Sequence, residues 1–561
     1  MHKFIKIFLY TIAALLLTLI LLIGGLYLYS SSINIAPPET KSSKWANQAI
    51  QEHGDTHLLG NNWLHKNSEG LYEMYVEGSA FDRGVAMGKL SDSLIRYQEQ
   101  AFVEQLQVMI PSPGYMKFLK NFIALFNKNL DEYIPLEFQQ EIYGVSQAAD
   151  SAFDFIAPAY SRMLNYHAAH DIGHAMQNMN LVACTSFGVW NNRAQDSTLT
   201  IGRNFDFYVG DAFAQNKIVL FVRPEQGIPF VIITWGGMTG AVSGMNAEGL
   251  TLTLNAAKSE IPTSAATPIS LIAREVLQYA STIDEALAIA KKRKSFVAES
   301  MLIGSAKDNR AALIEKTPET TLLYETKTPG QLISTNHFQS DSLKREEIVQ
   351  APIEDYATTY RYARMEELLA KYAAIGPEEA AEILRNKEGL ENNPIGLGNE
   401  KAVNQLIAHH GIIFQPQKRK FWIATAPYQL GTFIGYSLDS VFNKQRPHFP
   451  VHLPADTLAS DAFLQQGYND FLAYKHARNT VQAYLKAENI NGEALPDSIL
   501  ADLTEKNPDF YLGYKLLGDY YKHRDVPKAI ACYKEALACE LPSAGTREHI
   551  QQELNTLKKT Q

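Results

Sequence analysis

From Phe8 to Tyr29 the chain carries no charged residue, and the run is built mainly from Leu, Ile, Ala, Tyr and Gly. As a helix it would span about 33 Å, enough to cross the hydrocarbon core of a bilayer. His2, Lys3 and Lys6 precede it, and no basic residue follows before Lys41. By the positive-inside rule the N-terminus then stays in the cytoplasm and the bulk of the chain lies on the extracytoplasmic, periplasmic side. Residues 1–33 therefore read as a cytoplasmic stub and retained single-pass anchor. The competing reading is a cleaved signal peptide, whose apolar region is usually about 7–15 residues with a small-x-small exit. Here the run is longer, and Leu28-Tyr29-Ser30-Ser31-Ser32 is a weak cleavage site. Residues 34–43, with Pro37-Pro38, read as a short extended tether.

The whole chain, 561 residues of which 46% are hydrophobic and 20% charged, is too long for one ordinary core. Its formal net charge of -9 gives no electrostatic reason to seek a nucleic acid partner. Cys184, Cys532 and Cys539 are the three cysteines. The last two lie about 10 Å apart along a helical-looking stretch, too far for a disulfide within one helix, and read as packing residues. A disulfide-stapled miniprotein is excluded, and Cys184 stands alone as a thiol that needs an explanation.

Hydrophobic periodicity divides the chain. Residues 44–183 look mainly helical, with an amphipathic run after Phe81-Asp82-Arg83-Gly84 and helical patterns at 116–126 and 138–149. From Leu181 short β-type runs take over, at 198–203, 218–222, 230–235 and 250–255. Helices at 269–279 and 283–292 interrupt them, the second entered through a Thr282/Glu285 capping box. Runs at 301–304 and 311–315 flank the polar turn Lys307-Asp308-Asn309-Arg310 as a hairpin. The expectation is an α+β layered domain. Near the end, Tyr514, Leu517, Gly518 and Tyr521 match the first helix of a tetratricopeptide (TPR) hairpin, and Ala529, Tyr533 and Ala536 the second. Region 470–561 then reads either as a helical cap on the chain or as a platform for a protein partner.

Cys184 opens a β-type run, and Arg203 and Asp206 follow 19 and 22 residues later, so a hairpin could bring all three together. A nearby guanidinium favours the nucleophilic thiolate. If the bond before Cys184 were cut, the freed α-amine could act as general base on its own side chain, with Asp206 holding it. On spacing alone, the alternative is a small buried core cysteine beside a surface Arg–Asp pair.

Cys184-Thr185-Ser186 followed by Gly202-Arg203-Asn204-Phe205-Asp206 resembles the N-terminal-nucleophile (Ntn) hydrolases of the penicillin acyltransferase and choloylglycine hydrolase group, which also includes acid ceramidase. Further matches follow the family order. They are Gly78-Ser79-Ala80-Phe81-Asp82-Arg83-Gly84 with Gly88, the glycine-rich stretches 236–240 and 244–250, Leu254-Asn255, Ser334-Thr335-Asn336-His337-Phe338, Thr359-Tyr360-Arg361-Tyr362-Ala363-Arg364, and a closing strand pair within 409–427. The resemblance covers about 75–430 and implies a four-layer αββα Ntn sandwich. It would have a helical N-terminal part at 44–183, a catalytic core at 184–440, a connector at 441–469 and the TPR-like helices at 470–561.

The resemblance makes Cys184 the nucleophile and Ala183-Cys184 the self-cleavage site, although Gly would be more usual than Ala183. Arg203 and Asp206 would hold the cysteine and its amine. Asn255 and Asn336 would donate to the oxyanion, and Arg361 would orient the pocket, with Arg364 or Arg345 as substitutes. The implied activity is hydrolysis or transfer of an acyl group from a small acylated amide, with no cofactor. A lipid-ester or ceramide-like hydrolase on the same fold, and an inactive envelope scaffold binding a partner through its C-terminal helices, are the alternatives. His167, His170 and His174 at helical spacing suit a pocket wall better than a zinc site, since no further ligand completes the set. His409 and His410, read as neighbours on a strand, are expected to face opposite ways, and no metal is expected.

Overall fold

The computed structural model describes residues 2–110, 112–176, 182–258, 265–350, 357–443, 449–487 and 493–560. Among them the architecture is mixed α+β, with two large sheets of eleven and seven strands. The first helix, His2–Ser32, is long and apolar enough to cross a membrane, and its apolar window is not buried against the rest of the chain.

The larger sheet runs in the order Gln51–His53, Thr56–Leu59, Asn62–Lys66, Tyr72–Gly78, Ile218–Pro224, Phe230–Thr234, Ser243–Asn246, Leu250–Ala256, Glu299–Ser305, Arg310–Lys316, Thr321–Tyr324. Its neighbours are antiparallel except Tyr72–Gly78 with Ile218–Pro224, which run parallel. The smaller sheet is Gln331–Ser334, Val182–Val189, Thr200–Phe207, His410–Gln415, Lys420–Ala424, Phe433–Ser437, Leu453–Leu458.

Side chains alternate across each strand, and that alternation builds the core. Ile412 and Phe414 point between the sheets, where they pack with Trp63, Phe221 and Tyr436. Ile413 points the other way, onto Met365, Leu369 and Ile383 of the helices Ala357–Ala370 and Pro377–Leu384. The larger sheet buries its second face, Leu252 and Ile303 included, against helices such as Leu136–Ser146, Ala159–Met176 and Ile269–Tyr279. The Thr282/Glu285 capping box opens the helix Ile283–Lys292 as expected.

Three details add to the expectations. Region 44–183 is mainly helical, but four strands occupy 51–78 before the first of its helices. Their turn signals are Gly54 and Gly60, which take φ of 59° and 62°, a left-handed conformation that glycine adopts without steric cost. The 34–43 tether is not free chain. Ile35 is buried with its N–H donating to Ser161 Oγ at 3.2 Å, and Ser43 Oγ donates to Asp82 at 2.6 Å. The 441–469 connector contributes the strand Leu453–Leu458 to the smaller sheet.

The C-terminal helices, from Tyr468–Lys486 to Ala544–Thr560, share their own core of Phe471, Tyr474, Leu503, Leu517 and Tyr533. Gly518 is required there, since a Cβ would lie 2.5 Å from the Tyr533 ring. Half-buried Cys532 and Cys539 pack against the same core. Asn507 ties this unit to the rest by exchanging two 2.8 Å hydrogen bonds with the backbone of Leu397.

Candidate active site

Strand Val182–Val189 runs unbroken through Ala183 and Cys184 and pairs antiparallel with Thr200–Phe207. The register sets Ala183 opposite Asp206, Cys184 opposite Phe205 and Ser186 opposite Arg203. The hairpin expected from spacing therefore forms, and Arg203 and Asp206 are fully buried rather than a surface pair.

Alternation divides the site between two faces. On the face of Cys184, Arg203 Nη2 lies 3.5 Å from Sγ. Its guanidinium also donates to the carbonyls of Val242 and Leu254 and to Ser243 Oγ, and it rests 4.4 Å from the Phe205 ring centroid. On the opposite face, Arg361 Nη1 donates to the Cys184 carbonyl at 3.1 Å and to Thr185 Oγ1 at 3.2 Å. Its Nη2 reaches Asn336 Oδ1 at 2.9 Å. The cysteine is thus held between two buried guanidiniums. Arg364 is engaged elsewhere, by Asn386, Glu367 and Asn392, and Arg345 is exposed, so geometry selects Arg361.

Burial pushes the Cys184 thiol up from its ordinary value, with Arg203 opposing. Asp206 is more unusual: neither carboxyl oxygen has a hydrogen-bond partner among the described residues. Burial raises its pKa to about 7, against the pull of Arg361 and Arg203. A buried polar group without partners is uncommon in folded proteins and often marks a functional position.

The two asparagines sit beside the cysteine strand with their amide groups turned away from the oxyanion role. Asn336 Oδ1 accepts the Cys184 N–H at 2.8 Å while its Nδ2 donates to the Ala256 carbonyl at 2.8 Å. Asn255 Oδ1 accepts from Ser186 Oγ at 2.8 Å, and its Nδ2 donates to the Ser334 carbonyl at 2.9 Å. Each NH₂ group is thus already engaged by a backbone carbonyl.

Sequence reasoning missed several neighbours. Thr185 and Thr358 anchor Arg361 and the Asn336 backbone, and Ser243 accepts from Arg203. The two histidines do not face opposite ways: His409 Nδ1 and His410 Nδ1 are 2.9 Å apart, and His410 Nε2 is 2.8 Å from Ser243 Oγ. The reason is that the strand begins at His410, so pleat alternation does not govern His409. Ser243 and the histidines thereby extend the hydrogen bonding outward from Arg203.

Phe205 stacks on Phe207 at 5.5 Å, and Phe207 forms one wall of a cleft of about 600 Å³, part of it open to solvent. Phe102, Tyr166, Phe213 and Trp235 supply the other rings, and Gly236-Gly237-Met238 closes one side. Cys184 itself does not line this space, which begins one strand alternation beyond it. His167 does line it, with Nδ1 donating to the Met163 carbonyl and Nε2 accepting the Thr239 N–H. The side chains of His170 and His174 lie outside the described residues.

In sequence, the chain is 25% identical over 257 residues to a protein of Archaeoglobus fulgidus, covering 42% of each. It is 25% identical over 224 residues to a Caenorhabditis elegans N-acylethanolamine-hydrolyzing acid amidase, covering 38% of this chain and 59% of the relative. The chain spans about half the length of the curated relatives it matches. Among solved structures, the C. elegans acid amidase ortholog aligns at 16% identity with a TM-score of 0.31, covering 42% of this chain and 93% of that one. The conjugated bile acid hydrolase of Clostridium perfringens aligns at 12% and 0.31, covering 46% and 92%. Penicillin V acylase of Agrobacterium tumefaciens aligns at 16% and 0.29, covering 43% and 83%. Residues 192–427, beginning just after the Cys184 strand, match the model of a known family. That family is the acyl-coenzyme A:6-aminopenicillanic acid acyl-transferase family, and it is this part of the chain that is similar to it.

Proposed function

We propose that this protein is an Ntn-type cysteine hydrolase that cuts itself between Ala183 and Cys184 and then hydrolyses an acyl amide, such as an N-acyl amino acid, through a thioester on Cys184. The observation that carries the reading is Asp206, a buried carboxyl without a hydrogen-bond partner among the described residues and set directly across the strand pair from Ala183. An α-ammonium freed at Cys184 would supply the missing partner.

In self-processing, Sγ attacks the Ala183 carbonyl carbon, the Ala183–Cys184 C–N bond breaks, and the nitrogen keeps the thiol proton. Water then hydrolyses the thioester, leaving a carboxylate on Ala183 and an amine on Cys184. An α-amine titrates near about 7.7–8.0, which suits a general base at neutral pH. In turnover this amine takes the Sγ proton as sulfur attacks the substrate carbonyl, and passes it to the leaving amine. Water releases the acyl group as a carboxylic acid. Once the strand is cut, Asn336 loses the peptide N–H it now accepts. With Asn255 it would turn an NH₂ toward the oxyanion, a class of interaction worth about 10²–10³ in rate elsewhere.

The C. elegans relative is named for hydrolysing N-acylethanolamines, and an amide of this kind is the bond we assign. We read the His2–Ser32 helix as a retained anchor with the catalytic part on the periplasmic side, where acyl-coenzyme A is scarce and water is the natural acceptor. Cutting would then leave the smaller fragment in the membrane. The larger one would be held by the Tyr72–Gly78 and Ile218–Pro224 pairing, which bridges the two fragments within one sheet. We also assign the sheets and their covering helices to a four-layer αββα sandwich, and the last helices to TPR-like hairpins available to a protein partner.

Intact mass and N-terminal sequencing of wild type beside Cys184→Ala tests the reading. Two fragments in wild type, the larger beginning Cys-Thr-Ser-Phe, and a single chain in the variant are expected. Amine release from a panel of N-acyl amides should then depend on Cys184. A single uncut chain in both would overturn self-processing and favour an inactive scaffold.

A further inference from the structure

The cleft near Cys184 is mainly apolar, and among the polar lining groups of the described residues Glu99 carries a buried atom without a partner. Among its polar lining groups, Gln98 Nε2 donates to the Phe213 carbonyl at 3.2 Å, and both ring nitrogens of His167 are engaged. Glu99 differs. Its side chain is 1% exposed, its Oε1 accepts from Arg162 Nε at 2.5 Å and from the Tyr166 hydroxyl at 2.8 Å, and its Oε2 is buried without a partner among the described residues.

Arg162 does not neutralise this corner by itself. It also pairs with Asp154 at 2.9 Å and donates to the carbonyls of Ala157 and Asp150, both at 2.7 Å. One guanidinium therefore serves two carboxylates, and the cluster of Glu99, Arg162 and Asp154 keeps an excess negative charge. Around it stand the rings of the cleft. Phe213 meets Trp235 edge-on at 5.2 Å, Phe207 stacks on Trp235 at 6.4 Å, and Phe102 meets Tyr166 at 5.5 Å. Ring faces attract cations within about 6 Å, and a desolvated carboxylate oxygen needs a donor.

We propose that this cleft is a binding site for a primary ammonium group carried on an apolar or aromatic body, with Glu99 as the residue that selects it. A carboxylate would meet the Glu99 charge, and a hydroxyl would satisfy Oε2 without the ion pairing. Burial pushes the Glu99 carboxyl up, against Tyr166 and Arg162, and a bound cation would act in the same direction as Arg162. The consequence for turnover, that amides bearing such a group are preferred, rests on the function proposed above. The binding itself does not.

The test uses the full-length Cys184→Ala chain, which stays in the uncut state in which the cleft is seen. Calorimetric titration with 2-phenylethylamine, 2-phenylethanol and 3-phenylpropionate, at about pH 7.5 where a primary ammonium remains charged, isolates the head group on one aromatic body. The amine is expected to bind about tenfold or more tightly than the alcohol, with the acid weakest. Adding Glu99→Gln should remove the amine preference and leave alcohol binding in place. Amine binding equal to or weaker than that of the alcohol overturns the proposal without any Glu99 variant, so a misfolded variant would not leave it undecided. An amine preference that survives Glu99→Gln in a chain of unchanged unfolding temperature overturns it as well. Because no bond is cut, amide hydrolysis can fail while the amine binds, or proceed while it does not, so the two readings fall separately.

Discussion

Asn336 Oδ1 sits 2.8 Å from the backbone nitrogen of Cys184, and the same oxygen takes a 2.9 Å hydrogen bond from Arg361. A single side-chain oxygen thus couples the backbone nitrogen of Cys184, the nitrogen of the proposed cleavage site, to a buried cation, and Arg361 also grips the Cys184 carbonyl at 3.1 Å. Cys184 is thus held at both its backbone nitrogen and its own carbonyl, which fixes the strand around its side chain.

This grip needs two nitrogens in a plane. Arg361→Lys keeps the charge but offers a single point of attachment, so the fork that spans Asn336 and the Cys184 carbonyl is lost. The expected result is a folded chain whose conversion to fragments slows by about tenfold to a hundredfold, read by gel densitometry over time after translation is stopped. Processing at the wild-type rate in Arg361→Lys would show that the guanidinium fork does not position the scissile bond.

Gly84 is legible as part of a motif, but its physical reason emerges only from packing. It lies where helix Ala80–Leu90 crosses helix Leu136–Ser146, and a Cβ there would fall inside the van der Waals distance of the Glu141 backbone carbonyl. On the other helix, Gly144 would meet the Val85 nitrogen at 2.6 Å. Both obstructions are backbone, so neither can swing aside. The crossing also carries Arg83, which reaches Glu141 at 2.5 Å, and Glu141 is bonded in turn to Arg274 at 3.0 Å. Gly84→Ala is expected to destabilise the domain by about 1–3 kcal/mol through overpacking, seen as a lower urea midpoint. An unchanged midpoint would mean that the helices can separate at little cost.

Local signals were the readable ones. The Cys184, Arg203 and Asp206 spacing predicted a hairpin because a short antiparallel pair is decided by residues close in sequence, and the helices 269–279 and 283–292 announced themselves by periodicity and a cap. What stayed hidden depends on distant partners. Strand Tyr72–Gly78 finds Ile218–Pro224 across the whole helical insertion, and nothing near Tyr72 encodes that partner. Arg361 and Arg364 both lie on the helix Ala357–Ala370, and only the docking of that helix directs Arg361 to Cys184. The histidine pair was misread because a strand boundary fell between the two residues.

Arg203 is the cation nearest the sulfur and acts against the burial that raises the thiol. Replacing it with Gln removes that opposition. In the enzyme processed as proposed, the pH at which iodoacetamide half-maximally alkylates Cys184 should rise. Peptide mapping separates Cys184 from Cys532 and Cys539. A profile that does not move would mean that the thiolate draws its stabilisation from elsewhere, with Arg361 the remaining cation beside the strand.

Asp206 and Glu141 are both buried carboxylates, yet they respond to pH with opposite sign. Burial alone would raise Glu141, but Arg274 and Arg83 outweigh it and hold the pKa at about 2, so its stabilisation is present above the unfolded value and lost as pH falls through about 2. For Asp206 burial wins and the folded pKa is about 7, well above the unfolded carboxylate value. Between those values the folded state binds the extra proton, so the uncut chain loses stability as pH rises toward 7. Removing the charge should remove that loss. In the uncut Cys184→Ala background, Asp206→Asn is expected to raise the unfolding temperature at pH about 8 and leave it nearly unchanged at pH about 4, where Asp206 is already protonated. The processed wild-type enzyme should behave differently, because a Cys184 ammonium beside the carboxylate makes the ionised form favourable. There Asp206→Asn should cost both stability and turnover near neutral pH. If the substitution lowered the unfolding temperature of the uncut chain at pH about 8, the Asp206 charge would already be paired before cleavage, and its role as the acceptor for the new amino terminus would fail.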